Sequence, residues 1–199
     1  VVTTKVEHPA VLNVCKYFAK QGYEVTELSV NNDGMLDLDK LRDSIKDTTA
    51  IVSVMHANNE TGVIFPIEEI GKIVKEKGAL FHCDAVQAIG KIPINLKNSH
   101  VDLMSISGHK LHAPKGVGVL YIRKGVRIDP LLIGGHQEEN RRSGTENVPY
   151  IIGLGKACEL AEGFVKEEQT EVRRLRDKLE KGIKDKISNV VIIGENSDR

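Results

Sequence analysis

Two hydrophobic periods take turns along the chain. Pro9 to Lys20 carries Val11, Val14 and Phe18 at helical spacing, and Gly22 ends the run. Val25 to Val30 alternates as a strand does, and Asn31-Asn32-Asp33-Gly34 reads as a turn. Asp37 to Ile45 is a short helix with Leu38, Leu41 and Ile45 on one side. Ala50 to Met55, Ala79 to Cys83 and Val101 to Ile106 read as buried strands. Between the first two, Pro66 opens a helix and Gly78 closes it around an apolar stripe of Ile67, Ile70, Ile73 and Val74. This alternation predicts an α/β fold: a mainly parallel sheet flanked by helices. The link from Ile106 to Val117 contains Pro114 and Gly116 and is too short for a helical crossover. The strand at 117–122 is therefore predicted to run antiparallel to its predecessor.

From Val148 the pattern becomes one long helix to about Lys186, through Ile152, Ala157, Leu160, Phe164, Val172, Leu175, Leu179 and Ile183. Its second half is charged, with a narrow apolar stripe. This predicts a helix leaving a first domain (1–162) and opening a second (163–199). Val190 to Ile193 reads as a further strand. A sequence that starts and stops on strands is expected to be a piece of something longer.

Composition changes this picture little. The chain has 199 residues, 40% of them apolar, with 28 basic and 28 acidic side chains. Zero formal charge supplies no bulk attraction to nucleic acid or to an anionic membrane. No apolar run approaches the ~20 residues of a membrane-spanning helix, and no secretory leader is visible. Cys15, Cys83 and Cys158 form no CxxC pair and no disulfide framework, so a reducing, cytoplasmic setting is expected.

The candidate chemistry follows the strands. His56-Ala57-Asn58-Asn59-Glu60-Thr61-Gly62 comes after the strand at 50–55, Asp84-Ala85-Val86-Gln87 after 79–83, and Ser107-Gly108-His109-Lys110 after 101–106. Parallel connection predicts that all three polar clusters share the carboxyl edge of the sheet, where α/β proteins bind ligands. Asp84 suits either a helix N-cap or the counter-charge of a buried cation such as a pyridinium. Lys110 suits a Schiff base with an aldehyde, as a desolvated amine, and Ser107 and His109 suit an adjacent anion such as a phosphate. Taken alone, that stretch reads more readily as a glycine-containing surface loop with an exposed Lys-Leu-His. His109-x-x-His112 lacks the remaining ligands of a zinc site, so no metal is expected. His8 precedes a helix and reads locally as a water-exposed helix-entry histidine, or as a flat ring for stacking. Arg141, Arg142, Ser143 and Thr145, in a polar loop before a helix, suit an anion. The cysteines read as structural. No Walker A or G-x-G-x-x-G pattern follows any strand.

The motifs "VEHPAV", "MHANNETG", "HCDAVQAIGKIPI", "VDLMSISGHKLHAPKGVGVLYIR" and "RRSGTEN" occur in order. As a set they resemble the NifS/IscS-type cysteine desulfurases, pyridoxal-phosphate (PLP) enzymes of the class V aminotransferase family. The resemblance runs from residue 1 to about 165. It implies that Lys110 holds PLP covalently and then acts as the base at the substrate α-carbon. It also implies that Asp84 pairs with the ring nitrogen, Gln87 bonds the phenolic oxygen, and Asn59 orients ring or substrate. His8 would stack on the ring and move protons, and Ser107 and His109 would bind the phosphate. Thr145 would reach the phosphate of a partner subunit, so a homodimer is implied. So is conversion of L-cysteine to L-alanine, with sulfur passed through an enzyme cysteine to an acceptor or scaffold protein for iron–sulfur cluster or thio-cofactor synthesis.

That family places its sulfur-accepting cysteine and a carboxylate-binding arginine on later segments, and a Gly-Thr phosphate loop upstream. None of these is found here, and none of the three cysteines matches the acceptor position. The expectation is a PLP-binding large domain (1–162), followed by the start of a small domain, inactive alone and weak in PLP binding. Two alternatives stay open: a related PLP lyase such as a selenocysteine lyase, and a non-catalytic dimerisation or docking piece.

Overall fold

The computed structural model describes residues 1–199. Six strands form one sheet: β1 (Val2–Thr4), β2 (Thr26–Leu28), β3 (Ile51–Met55), β4 (Leu80–Asp84), β5 (Leu103–Ser107) and β6 (Gly118–Ile122), in the order β2-β1-β3-β4-β5-β6. All neighbours are parallel except β5 and β6, which pair antiparallel with Leu103 opposite Ile122 and Ser107 opposite Gly118. The short Pro/Gly link therefore does what its length required.

Helix α1 (Pro9–Lys20) connects β1 to β2, and α2 (Leu38–Ser44) connects β2 to β3. Asp37 caps α2 by accepting the Asp39 and Lys40 N–H groups on Oδ1, both at 3.1 Å. Helix α3 (Ile67–Glu76) joins β3 to β4 and buries its predicted stripe, Ile67, Ile70, Ile73 and Val74. These side chains meet Val52, Val54, Phe81, Cys83, Val101 and Met104 on one face of the sheet and form the main core. Burying that many branched side chains, at about 25 cal/mol per Å² of apolar area, is the dominant stabilisation of the fold. Gly71 permits the contact, since a Cβ there would sit 2.9 Å from the His100 Cβ and 3.2 Å from the Phe81 ring.

The other face is polar where it meets α1. Ser53, His82 and Ser105 lie on it in three neighbouring strands, and Thr3 Oγ1 donates to the Ser53 carbonyl (2.9 Å).

The long C-terminal helix is α4 (Val148–Glu167), a π-helical turn (Glu168–Val172) and α5 (Arg173–Lys186). The π turn is held to the turn segment that follows β4 by Gln169, whose Nε2 donates to the Lys91 carbonyl (2.8 Å). Leu154 and Ala157 of α4 pack on Leu111 and Ala113, whereas α5 buries no residue. Val190 to Ile193 is not a strand. Residues 187–199 are turns and irregular chain, because a strand needs a ladder partner and no strand of the sheet pairs with this segment. No helix is long and apolar enough to cross a membrane.

Candidate active site

The three polar clusters do emerge on one edge, because β3, β4 and β5 are parallel and in close register: Met55 lies opposite Asp84, and Asp84 opposite Ser105. There they line a cavity of about 640 Å³ with α1 forming its opposite wall. That volume is in the range of small-molecule sites. Its lining includes His8, Asn59, Asp84, Gln87, Ser107, His109 and Lys110. Seven of the eight candidate residues, more than 100 positions apart at the extremes, are thus brought together. Thr145 is the exception: it is exposed and outside this lining.

Asp84 ends β4 and is 8% exposed. One carboxylate oxygen accepts the Val86 N–H (3.0 Å), so the residue caps a turn and still presents charge to the cavity floor. The helix cap expected of Asp84 is a turn cap instead, because the chain after β4 forms turns and no helix. Gln87, three residues on, is half-buried beside it.

Lys110 sits in a 3₁₀ turn, Gly108–Leu111, that starts directly at the end of β5. The turn fits against β6 only because residue 108 is glycine: a Cβ would lie 2.8 Å from the Val117 carbonyl oxygen. Ser107 Oγ and His109 Nδ1 are hydrogen-bonded at 2.8 Å and face the cavity together. Lys110 itself is exposed at the cavity mouth, which corrects the expectation of a desolvated amine. His8 caps α1, its Nδ1 accepting the Ala10 N–H (3.2 Å), with the ring exposed to the cavity.

The "HANNETG" turn divides its labour. Asn58 is buried and structural. Its Oδ1 accepts the Glu60 and Thr61 N–H groups (3.0 and 2.9 Å), and its Nδ2 donates to the Val6 carbonyl (3.0 Å). This turn holds the exposed Asn59 at the cavity rim. His56 lines a separate small cavity with Pro66 and Met104. Burial without a hydrogen bond at Nδ1 holds its pKa down to about 4.

Two features were missed in the sequence. His82 shares the cavity face with Asp84, being two residues earlier on the same strand. That period-two spacing was the available signal. Burial pushes its pKa down, against the opposing pull of Asp84. Glu7, beside His8, is 4% exposed. Its Oε1 accepts from Thr4 Oγ1 (2.8 Å) and the Met55 N–H (2.9 Å), while Oε2 is buried without a partner. Desolvation lifts its pKa to about 7, with Asp84 adding to the rise.

The arginine loop closes on itself. Arg142 pairs with Glu138 (3.1 Å) and Arg141 with Glu139 (2.7 Å). The backbone passes through left-handed conformations at Glu138, Glu139 and Asn140 (φ 50°, 55° and 65°). These guanidinium groups are thereby paired within the loop, a correction to the anion site expected there. No group of three or more His, Cys, Asp or Glu side chains is placed to hold a metal.

The donor set suits a flat, cationic heteroaromatic ring with an aldehyde and an anionic arm. It offers a carboxylate at the floor, an imidazole at one wall, an amine at the mouth, and a hydroxyl–imidazole pair beside that amine.

The family model described as "Aminotransferase class-V" matches residues 1–199. A protein named "Cysteine desulfurase" from Nostoc sp. (strain PCC 7120) is 60% identical over 199 residues, covering 100% of this chain and 50% of that protein. The X-ray structure of a NifS-like protein from Rickettsia africae superposes with a TM-score of 0.91 at 38% identity, over 100% of this chain and 54% of that one. A structure described as SspA in complex with cysteine matches 79% of this chain and 46% of its own, with a TM-score of 0.77 and 38% identity. The chain spans about half the length of the curated relatives it matches. Because the family model matches along its whole length, this chain belongs to the class V aminotransferase family.

Proposed function

We propose that the chain is the cofactor-binding part of a PLP-dependent cysteine desulfurase. The observation that carries this reading is the convergence of Lys110, Asp84, Gln87, His8, Ser107 and His109 on one cavity. Pyridoxal phosphate, when bound, supplies an aldehyde for an amine to capture and a ring that takes up an electron pair. Lys110 would hold it covalently and would also serve as the base for the proton on the substrate α-carbon. Asp84 would keep the ring nitrogen protonated by charge pairing at the cavity floor. Gln87 would donate to the phenolic oxygen, His8 would cover one ring face, and Asn59 would orient the substrate. Ser107 and His109 would take the phosphate.

The final step needs a thiolate acceptor, and the cysteines described here do not suit it. Burial pushes the Cys15 and Cys83 thiols up, and Cys158 lies on α4 outside the cavity lining. Sulfur acceptance would therefore fall to another segment or protein, ahead of iron–sulfur cluster or thio-cofactor synthesis. Thr145, exposed and outside the cavity of its own chain, fits a role across a homodimer interface. A division near residue 162 is supported by α4 packing on the sheet unit while α5 buries nothing. Three unpaired cysteines fit the cytoplasm.

The test is reconstitution with PLP, borohydride reduction and peptide mapping. A single adduct on Lys110 that disappears in Lys110→Ala is expected. Stable PLP binding with labelling spread over other lysines would refute the assignment.

A further inference from the structure

His82 is a polar side chain that the reading above leaves without a task, and its surroundings are specific. Nδ1 is 2.8 Å from Ser53 Oγ on β3, and Nε2 is 2.8 Å from Ser105 Oγ on β5. Ser53 is its direct cross-strand partner. Ser105 is the partner of Asp84, one pleat along, and reaches back to the ring. Both ring nitrogens are thus occupied, so the imidazole can neither spin nor tilt without breaking a hydrogen bond. The three side chains make one row across the cavity floor, on the face of the sheet that also carries Asp84.

A lone imidazole near a carboxylate ordinarily gains a proton. Here burial opposes Asp84 and outweighs it, so the balance favours the neutral ring. The other titratable groups around the cavity include Asp84 itself, Glu7 on the β1–α1 loop, His8 and His109 on its walls and Lys110 at the mouth. An imidazolium at position 82 would pair with Asp84 and compete with any cation in the cavity. An apolar residue there would leave two serine hydroxyls unsatisfied beneath the ligand.

We propose that His82 is a positioning residue: clamped by Ser53 and Ser105, it keeps the cavity floor polar but uncharged, and so reserves the Asp84 carboxylate for the ring nitrogen of the cofactor. This rests on the PLP reading above. The tautomer and protonation of His82 are read by ¹⁵N NMR of the chain without cofactor, with one neutral tautomer expected at pH 7. Next, PLP affinity and the pH midpoint of the visible absorbance of bound PLP are compared in the wild type, His82→Leu, His82→Gln and Ser105→Ala. His82→Leu is expected to weaken PLP binding about tenfold, the effect of losing hydrogen bonds of ordinary strength, and to move the midpoint. Ser105→Ala is expected to shift both in the same direction by less, and His82→Gln to restore most of the wild-type values. Unchanged affinity and midpoint in Ser105→Ala and in a folded His82→Leu would overturn the inference while leaving the cofactor reading intact. If His82→Leu does not fold, Ser105→Ala decides. A rapidly averaging or charged imidazole at pH 7 would also overturn it. Failure of the wild-type chain to bind PLP would strike down the cofactor reading, and this inference with it.

Discussion

Replacing Glu7 with glutamine separates two effects that usually travel together. The carboxyl is buried and its pKa is about 7 in place of 4.5. Below pH 4.5 both the folded and unfolded chains hold the proton, and Glu7 carries no ionisation cost. As pH rises through 4.5 the unfolded chain releases its proton while the folded chain keeps it, so stability falls. The loss is complete once pH passes about 7. With those two pKa values, the loss between pH 5 and pH 8 is about 2.5 kcal/mol. Glutamine keeps an oxygen for Thr4 Oγ1 and the Met55 N–H, but puts an amide where Oε2 now lacks a partner. That mismatch costs about 1–3 kcal/mol and does not depend on pH. Glu7→Gln should therefore gain about 2.5 kcal/mol relative to wild type on going from pH 5 to pH 8, whatever its absolute stability. Urea unfolding followed by circular dichroism across that range measures the difference. Stability curves that run parallel for the two proteins would refute the reasoning, because they would mean that Glu7 ionises alike folded and unfolded.

Other perturbations probe the scaffold. Gly108→Ala places a Cβ against the Val117 carbonyl oxygen at 2.8 Å and should destabilise the chain by about 1–3 kcal/mol in thermal unfolding. Arg123 donates from Nε to the Val101 carbonyl and from Nη2 to the Ser99 carbonyl (2.9 Å each) and to that of Leu96 (3.2 Å). Arg123→Met should cost about 2–3 kcal/mol in denaturant unfolding. Iodoacetamide should label Cys158 in the folded chain and leave Cys15 and Cys83 untouched until denaturant is added, as read by mass spectrometry, because only Cys158 is exposed.

Much of this arrangement was legible in the chain. The stripe Ile67, Ile70, Ile73 and Val74 could only be a helix buried on one side, and its burial is as its spacing requires. The short link with Pro114 and Gly116 excluded a parallel crossover, and β5 and β6 are antiparallel. Local rules failed at Val190 to Ile193, where strand-like residues have no ladder to join. They failed again at Arg141 and Arg142, whose partners Glu139 and Glu138 lie in the same loop but meet them only through left-handed backbone.

By itself the sequence determined the elements and the chemistry that follows each strand, because hydrophobic period and turn residues act over a few positions. Only the tertiary structure decided what those residues face. Register between strands that are 20 to 30 residues apart puts Ser53 beside His82 and Ser105 beside Asp84. Packing of the β1–α1 loop against β3 buries Glu7 beneath the site. Register and desolvation arise from segments distant in the chain, and no local pattern encodes them.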